Sequence, residues 1–157
     1  MAMLLSGNVV AQRHGRPDSA QNYEKSIPEP TLTITIDSQS SRWKRAALAA
    51  MTRSSISVPS RKPGSTRVFS GVTLSQLLPS DAAPPGLTVY ETHHGFFHTQ
   101  RLDASDLEPG TDLLIADRVD QRAIAKSSLF YVIATTRGHQ PLTIGNVTSI
   151  LIRTTPQ

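Results

Sequence analysis

The strongest pattern of apolar positions in the chain runs from Val68 to Leu78. Its first two residues are β-formers, Gly71 permits an unusual backbone angle, and the apolar residues from Val72 onward are spaced as on the buried side of a helix. The run therefore predicts a strand, a tight turn and a short buried helix.

Alternating or short continuous apolar runs predict strands along most of the remaining chain. Trp43 to Met51 is rich in alanine and free of helix breakers, so it predicts a helix, and Ala104 to Leu107 predicts one helical turn. The other predicted strands are Thr31–Asp37, Ser55–Val58, Leu87–Thr92, Phe96–Gln100, Leu113–Ala116, Leu129–Ala134 and Val147–Ile152.

The order of these elements predicts the fold class. Strands outnumber helices, and the helices interrupt the strands instead of alternating with them. This favours an α+β fold, a single domain with an irregular mixed β-sheet, a barrel-like core and a few short helices, over a doubly wound one. The folded domain is expected at residues 31–157, because residues 1–30 are polar and punctuated by prolines after an apolar start.

The first 30 residues are interpreted as a signal remnant or as a disordered tail and linker. The signal interpretation predicts a periplasmic or secreted protein, and the absence of cysteine is compatible with that location. A cytoplasmic location stays open.

Composition narrows the chemistry. The chain has 157 residues, of which 38% are hydrophobic and only 5% aromatic, so one domain with an aliphatic core is expected. Without cysteine, disulfides, zinc-thiolate sites, iron-sulfur clusters and a cysteine nucleophile are excluded. No run of about 18 apolar residues occurs, which argues against a membrane-spanning helix.

Basic residues exceed acidic ones by 16 to 12, and six of the basic residues fall between Arg42 and Lys62. Only Trp43 interleaves aromatically with them, so nucleic acid is not the expected partner. A solvated basic face, or a surface that attracts small anions, is the preferred interpretation.

Motifs for known chemistry are sparse. His94 and His98 would share one strand face, but at about 3.3 Å per residue they would be roughly 13 Å apart, too far to share one ion. The chain contains no Gly-x-Ser-x-Gly elbow, phosphate-binding loop or dinucleotide fingerprint. No catalytic residue and no metal ligand is therefore predicted.

Several segments follow one another in the order found in one known family. They are Ala47–Met51 leading into Ser55–Val58, Phe69–Leu78, His94-Gly95-Phe96, Leu113–Arg118 with Ala123-Ile124, and Asn146–Ile150. Together they resemble the sulfite-oxidase-type oxidoreductase molybdopterin-binding domain. The resemblance spans roughly residues 31–152 and implies the fold of that family.

The chain departs from the family at three segments that meet its cofactor. The loop that carries the molybdenum-ligating cysteine in the enzymes reads Pro59-Ser60-Arg61-Lys62 here, so thiolate ligation is impossible. The family's Gly-Pro-x-Arg segment is replaced by Ser128–Tyr131, and its late Arg-Trp-x-x-Asn-Val segment reads Leu142–Val147. The resemblance is therefore to a divergent, cysteine-free member.

Such a relative implies a non-catalytic module that binds a pterin or a similar small heterocycle, with a regulatory role and a protein partner. Asp117 would bond ring nitrogens, Phe96 or Tyr131 would stack on the ring, and basic side chains would meet an anionic tail. The expected ligand-binding residues are His94, Phe96, Asp117, Arg118, Tyr131, Arg137 and His139. A molybdopterin-dependent oxidoreductase or its subunit, and a ligand-free protein-interaction scaffold, stay open as alternatives.

Overall fold

The structure is a computed structural model that describes residues 26–79, 86–93 and 96–153. Within these ranges strands account for 55% of the residues and helices for 13%. The strands of the described ranges hydrogen-bond into one ten-stranded sheet. The protein is therefore mostly β.

Short connections join the elements, and three of the helices are single turns of 3-10 type, marked η. In chain order the elements are β1 (Thr31–Ile36), β2 (Gln39–Lys44), α1 (Arg45–Ala49), β3 (Ser54–Pro59), β4 (Thr66–Thr73), η1 (Leu74–Leu77), β5 (Gly86–His93), β6 (Phe96–Asp103), η2 (Ala104–Asp106), β7 (Leu114–Val119), β8 (Arg122–Ala123), η3 (Lys126–Ser128), β9 (Phe130–Ala134) and β10 (Leu142–Arg153).

The sheet follows the path β2-β1-β10-β9-β7-β4-β3, with β5 and β6 attached at β10 and β8 attached at β7. The β1–β10 pair is parallel, whereas the other pairs described are antiparallel. The sheet is thus mixed, as the order of elements predicted.

Strand β10 belongs to both halves of this sheet. Its first part pairs with β9, and its second part lies between β1 and β5. The register shifts between Ile144 and Val147, where Asn146 has a φ of 53°, and such a bulge bends a strand. Apolar side chains from both halves consequently meet in one main core, which includes Phe130 and is otherwise aliphatic.

The expected α+β class is wrong. The predicted helix over Trp43–Met51 is reduced to the five residues of α1, because Trp43 and Lys44 pair with β1 as the end of β2. The predicted helix after Gly71 is also reduced, to the four residues of η1. Cross-strand pairing has overridden the local helix propensity at both places.

The expected turn at Gly71 is wrong as well. Gly71 lies within β4, and a Cβ added there would lie 1.8 Å from the carbonyl oxygen of Ile115 on the adjacent β7. A glycine is required because the two backbones approach closely, not because the chain turns.

Strands β3, β4, β7 and β9 bury apolar residues on a second face. This smaller cluster comprises Val58, Phe69, Leu114, Ala116 and Ile133. The candidate site lies on this face. Within the described residues, no helix is long and apolar enough to cross a membrane.

Candidate binding groove

Arg67, Phe69 and Tyr131 form a row on the second face of the sheet. The ring centroids of Phe69 on β4 and Tyr131 on β9 are 5.5 Å apart, with the ring planes tilted by 42°. Arg67 lies two residues before Phe69, so it shares the same face, and its guanidinium carbon is 5.5 Å from the Phe69 ring centroid. The row combines aromatic surface with a cation on rigid strands.

Two open cavities adjoin this row and share Arg67 and Tyr131. The Arg122 cavity has a volume of about 590 Å³ and the Arg61 cavity about 480 Å³. The first is lined by Arg67, Val119, Asp120, Arg122, Ala123, Ile124, Ala125, Ser128 and Tyr131, and the second by Val58, Pro59, Ser60, Arg61, Arg67, Phe69, Tyr131 and Thr143. We call the two together the Tyr131 groove; each cavity has the size of a small-molecule site.

Positive charge predominates in the Tyr131 groove. Among its lining residues, Arg61, Arg67 and Arg122 are cationic, and Asp120 is the one carboxylate. An Oδ atom of Asp120 is 3.7 Å from Nε of Arg67, and both side chains are about half exposed, at 53% and 48%. Water screens such a pair, so Asp120 offsets only part of the attraction for anions.

A two-residue turn between β7 and β8 places Arg122 at the groove. Asp120 and Gln121 have φ values of 48° and 66°, as both central residues of a type I′ hairpin turn do. Asp120 also exchanges two hydrogen bonds with Val68: its N–H donates to the Val68 carbonyl and its Oδ1 accepts from the Val68 N–H, each at 2.8 Å. The turn is thereby fixed to β4.

Arg45 forms hydrogen bonds with the segment that lines another side of the groove. Its Nη1 donates to the carbonyl oxygen of Ile124 at 2.6 Å, its Nη2 donates to the carbonyl oxygen of Leu129, and its guanidinium lies over the Phe130 ring. Leu129 has φ 53° and ψ −117°, a conformation that favours glycine. The contacts from Arg45 stabilise residues 124–129, of which Ile124, Ala125 and Ser128 line the Arg122 cavity.

Asp117, predicted to bond a ligand ring, forms a partly buried ion pair with Arg53. Among the described residues it is the only buried charged one. Arg53 donates to both of its carboxylate oxygens, and Nη2 of Arg53 also donates to the carbonyl oxygen of Ser70 at 3.2 Å. The carboxylate is therefore neutralised by the protein itself.

The pairing of β4 with β7 explains why Asp117 points inward. Ser70 lies opposite Arg118, whereas the next residue, Gly71, lies opposite Ala116. Asp117 is thus the extra residue of a bulge, and a bulge redirects the side chains around it.

Arg118, also predicted to bind ligand, does not line the Tyr131 groove. Its neighbour Val119 lines the groove, and adjacent residues of a strand point to opposite faces. Arg118 is exposed on the other face of the sheet.

Arg137 and His139 line a different cavity, beyond the other end of β9 from Tyr131. This His139 cavity has a volume of about 490 Å³ and is lined by Gln100, Arg101, Leu102, Ser105, Asp106, Thr136, Arg137, His139, Gln140 and Leu142. Nε of Arg137 donates to the carbonyl oxygen of Leu107 at 3.0 Å. The backbone N–H of His139 donates to the carbonyl oxygen of Thr136 at 3.4 Å. The structure thus separates these two residues from Tyr131.

Two of the predicted ligand-binding residues cannot be placed. His94 lies outside the described residues. Phe96 begins β6, but its side chain lies outside the described part of the chain.

Among the predicted ligand-binding residues whose side chains the structure describes, Tyr131 alone lines the groove. The three groove arginines were not among the predicted residues. Arg67 has a local signal, since it alternates with Phe69 along one strand. Arg61 belongs to the basic stretch that was interpreted as a solvated face or an anion-attracting surface. Arg122 carries no local signal, because a two-residue strand brings it to the groove.

The described residues contain no group of three or more His, Cys, Asp or Glu that could hold a metal ion. The chain matches no protein-family model. It also matches no curated protein.

Proposed function

We propose that the protein is a non-catalytic module that binds a small, planar, anionic heterocycle in the Tyr131 groove, with a pterin as the first compound class to test. One observation carries the proposal: Arg67 and Tyr131 line both cavities, so a cation and an aromatic ring border each of them.

The groove offers the contacts that such a ligand needs. The Tyr131 ring can stack on a flat heterocycle, and a guanidinium can bind a carboxylate or phosphate through two parallel hydrogen bonds. The hydroxyl groups of Ser60, Ser128 and Thr143 line the cavities and can form hydrogen bonds with ring nitrogens and carbonyl groups of a ligand. A few polar groups around an apolar surface are typical of ligand sites.

The three segments that depart from the resembled family all contribute to this groove. Ser60 and Arg61 come from the first, Ser128 and Tyr131 from the second, and Thr143 from the third. The resemblance places the family's cofactor at these segments, which supports a ligand site there. It is also why a pterin is the first ligand to test.

The site lacks the donor that a molybdopterin oxidoreductase would use. Ser60 and Arg61 occupy the place of the thiolate loop, and the chain has no cysteine. A guanidinium does not ligate a cation, so these residues do not fit a thiolate-bound metal. The buried carboxylate of Asp117 is paired with Arg53 and is therefore not available as a general base.

Regulation of a partner protein is the role we propose for the module.

Isothermal titration calorimetry of the full chain with pterin-6-carboxylate tests this proposal. We expect measurable binding that weakens about tenfold, or about 1.4 kcal/mol, in Arg67→Gln because a charged hydrogen bond is lost. Arg137→Gln in the His139 cavity is the matched control and should bind like the unmodified protein.

Failure of pterin-6-carboxylate, neopterin and aromatic carboxylates to bind would contradict the proposal and favour the ligand-free scaffold. Equal losses in Arg67→Gln and Arg137→Gln would contradict the assignment of the site.

A further inference from the structure

We infer that the Tyr131 groove accepts an elongated ligand with two anionic groups, one bound near Arg61 and the other near Arg122. This inference rests on the proposed function and adds the shape and charge of the ligand. Its basis is that the two cavities share Arg67 and Tyr131, while each has an arginine that the other lacks.

The sheet separates the two parts of the backbone that carry these arginines. Arg122 on β8 pairs with Val119 on β7, Val119 pairs with Phe69 on β4, and Phe69 pairs with Ile56 on β3. Strands are about 4.8 Å apart, so the backbones of β8 and β3 are separated by roughly 14 Å. Arg61 follows β3, so Arg61 and Arg122 extend from well-separated parts of the backbone, and each can bind an anionic group of its own.

Each cavity also has hydroxyl groups of its own. Ser128 lines the Arg122 cavity, whereas Ser60 and Thr143 line the Arg61 cavity. Between them, Tyr131 and Phe69 provide an aromatic floor for an uncharged spacer. The pattern of anion, flat spacer and anion therefore matches the pattern of side chains along the groove.

Rigid aromatic carboxylates of increasing length test the inference. The probes are benzoate, terephthalate, biphenyl-4-carboxylate and biphenyl-4,4′-dicarboxylate, titrated calorimetrically into the full chain. We expect the biphenyl dicarboxylate to bind at least about tenfold more tightly than the monocarboxylate, because its second contact forms intramolecularly. Terephthalate is too short and should gain no such advantage over benzoate.

Variants of Arg61 and Arg122 test where the two anionic groups of the ligand bind. Arg61→Gln and Arg122→Gln should each abolish the advantage of the dicarboxylate over the monocarboxylate, because only one of the two anionic groups then meets an arginine. Both side chains are exposed, so both variants should keep the thermal unfolding midpoint of the parent. Arg101→Gln in the His139 cavity is the control and should keep the full advantage.

The outcomes separate this inference from the proposed function. Binding of the monocarboxylate without any advantage for the dicarboxylate would overturn the inference and leave the proposed function standing. An advantage that persists in Arg61→Gln or in Arg122→Gln would overturn it too. No binding of any probe would overturn both.

Discussion

The Tyr131 groove and the His139 cavity are similar in size and both are lined by arginines, yet they differ in construction. The Tyr131 groove lies over paired strands, with Arg67 and Tyr131 beside the buried ring of Phe69. The His139 cavity is built largely from η2 and the β9–β10 loop, with part of β6. The arginines of both sites are exposed, but Arg67 of the groove lies over the Phe69 ring.

This difference shows why charge alone does not define a site. An exposed arginine on a loop loses side-chain entropy when it binds an anion, whereas one packed against a ring on a strand has already lost part of it. The Tyr131 groove is therefore the better candidate for a ligand site, although Arg137 and His139 of the other cavity were among the residues predicted to bind the ligand.

Matched glycine substitutions give the largest expected effects. A Cβ at Gly71 would lie 1.8 Å from the Ile115 carbonyl oxygen, so Gly71→Ala must separate β4 from β7 below the groove. We expect unfolding free energy to fall by at least about 3 kcal/mol. Gly138, in the loop of the His139 cavity, has open space around its Cβ position but a φ of 66°. Gly138→Ala should cost only about 1 kcal/mol.

Urea denaturation of the two variants measures both values. Equal losses would contradict the claim that the Tyr131 groove depends on closely packed strands while the His139 cavity does not.

Asp117→Asn should be the next largest effect and should separate stability from binding. It removes the charge that pairs with Arg53, whose side chain is 29% exposed. We expect a loss of about 2 kcal/mol in unfolding free energy, less than for a fully buried pair. Pterin-6-carboxylate affinity should not change, because Asp117 does not line the groove.

Urea denaturation and calorimetry test the two parts, with exposed Glu108→Gln as the control that alters neither. Loss of binding in Asp117→Asn without loss of stability would restore the ligand-bonding role that the sequence suggested.

Local patterns predicted the strands well where one face is buried. Leu32 and Ile34 alternate with threonines and are fully buried, and β1 lies where the alternation predicted it. Strand β2 was missed because five of its six residues are polar and it is an edge strand that packs little apolar surface.

The site was harder to predict because its geometry depends on contacts distant in sequence. Asp117 and Arg53 are separated by 64 positions, and the bulge that turns Asp117 inward exists only when β7 pairs with β4. Tyr131 was named from the family resemblance, in the segment that replaces the family's Gly-Pro-x-Arg, and its contact with a ligand stays a prediction. Arg61 had only the charge of its basic stretch as a signal, and Arg122 had no local signal.

Gly145→Ala should have a smaller effect that reports on the Tyr131 ring. A Cβ there would lie 3.0 Å from Cε1 and 3.3 Å from Cζ of Tyr131, so the ring must shift by a fraction of an ångström. We expect a stability loss below about 1 kcal/mol and roughly threefold weaker binding of pterin-6-carboxylate. The same substitution in a Tyr131→Leu background should change binding no further. An equal loss in both backgrounds would mean that the ring does not contact the ligand.

Asp120→Asn should have the smallest effect, and its sign is opposite: binding becomes tighter. Asp120 competes with an anionic ligand for Arg67, and asparagine keeps both the oxygen that accepts from Val68 and the tolerance for a positive φ. We expect affinity for pterin-6-carboxylate to rise about twofold at low salt and the gain to fade as salt screens the charge. Asp106→Asn makes the corresponding change in the His139 cavity and should leave affinity unchanged. Equal gains from both variants would show that the ligand senses only the net charge of the protein, and the distinction between the two sites would fail.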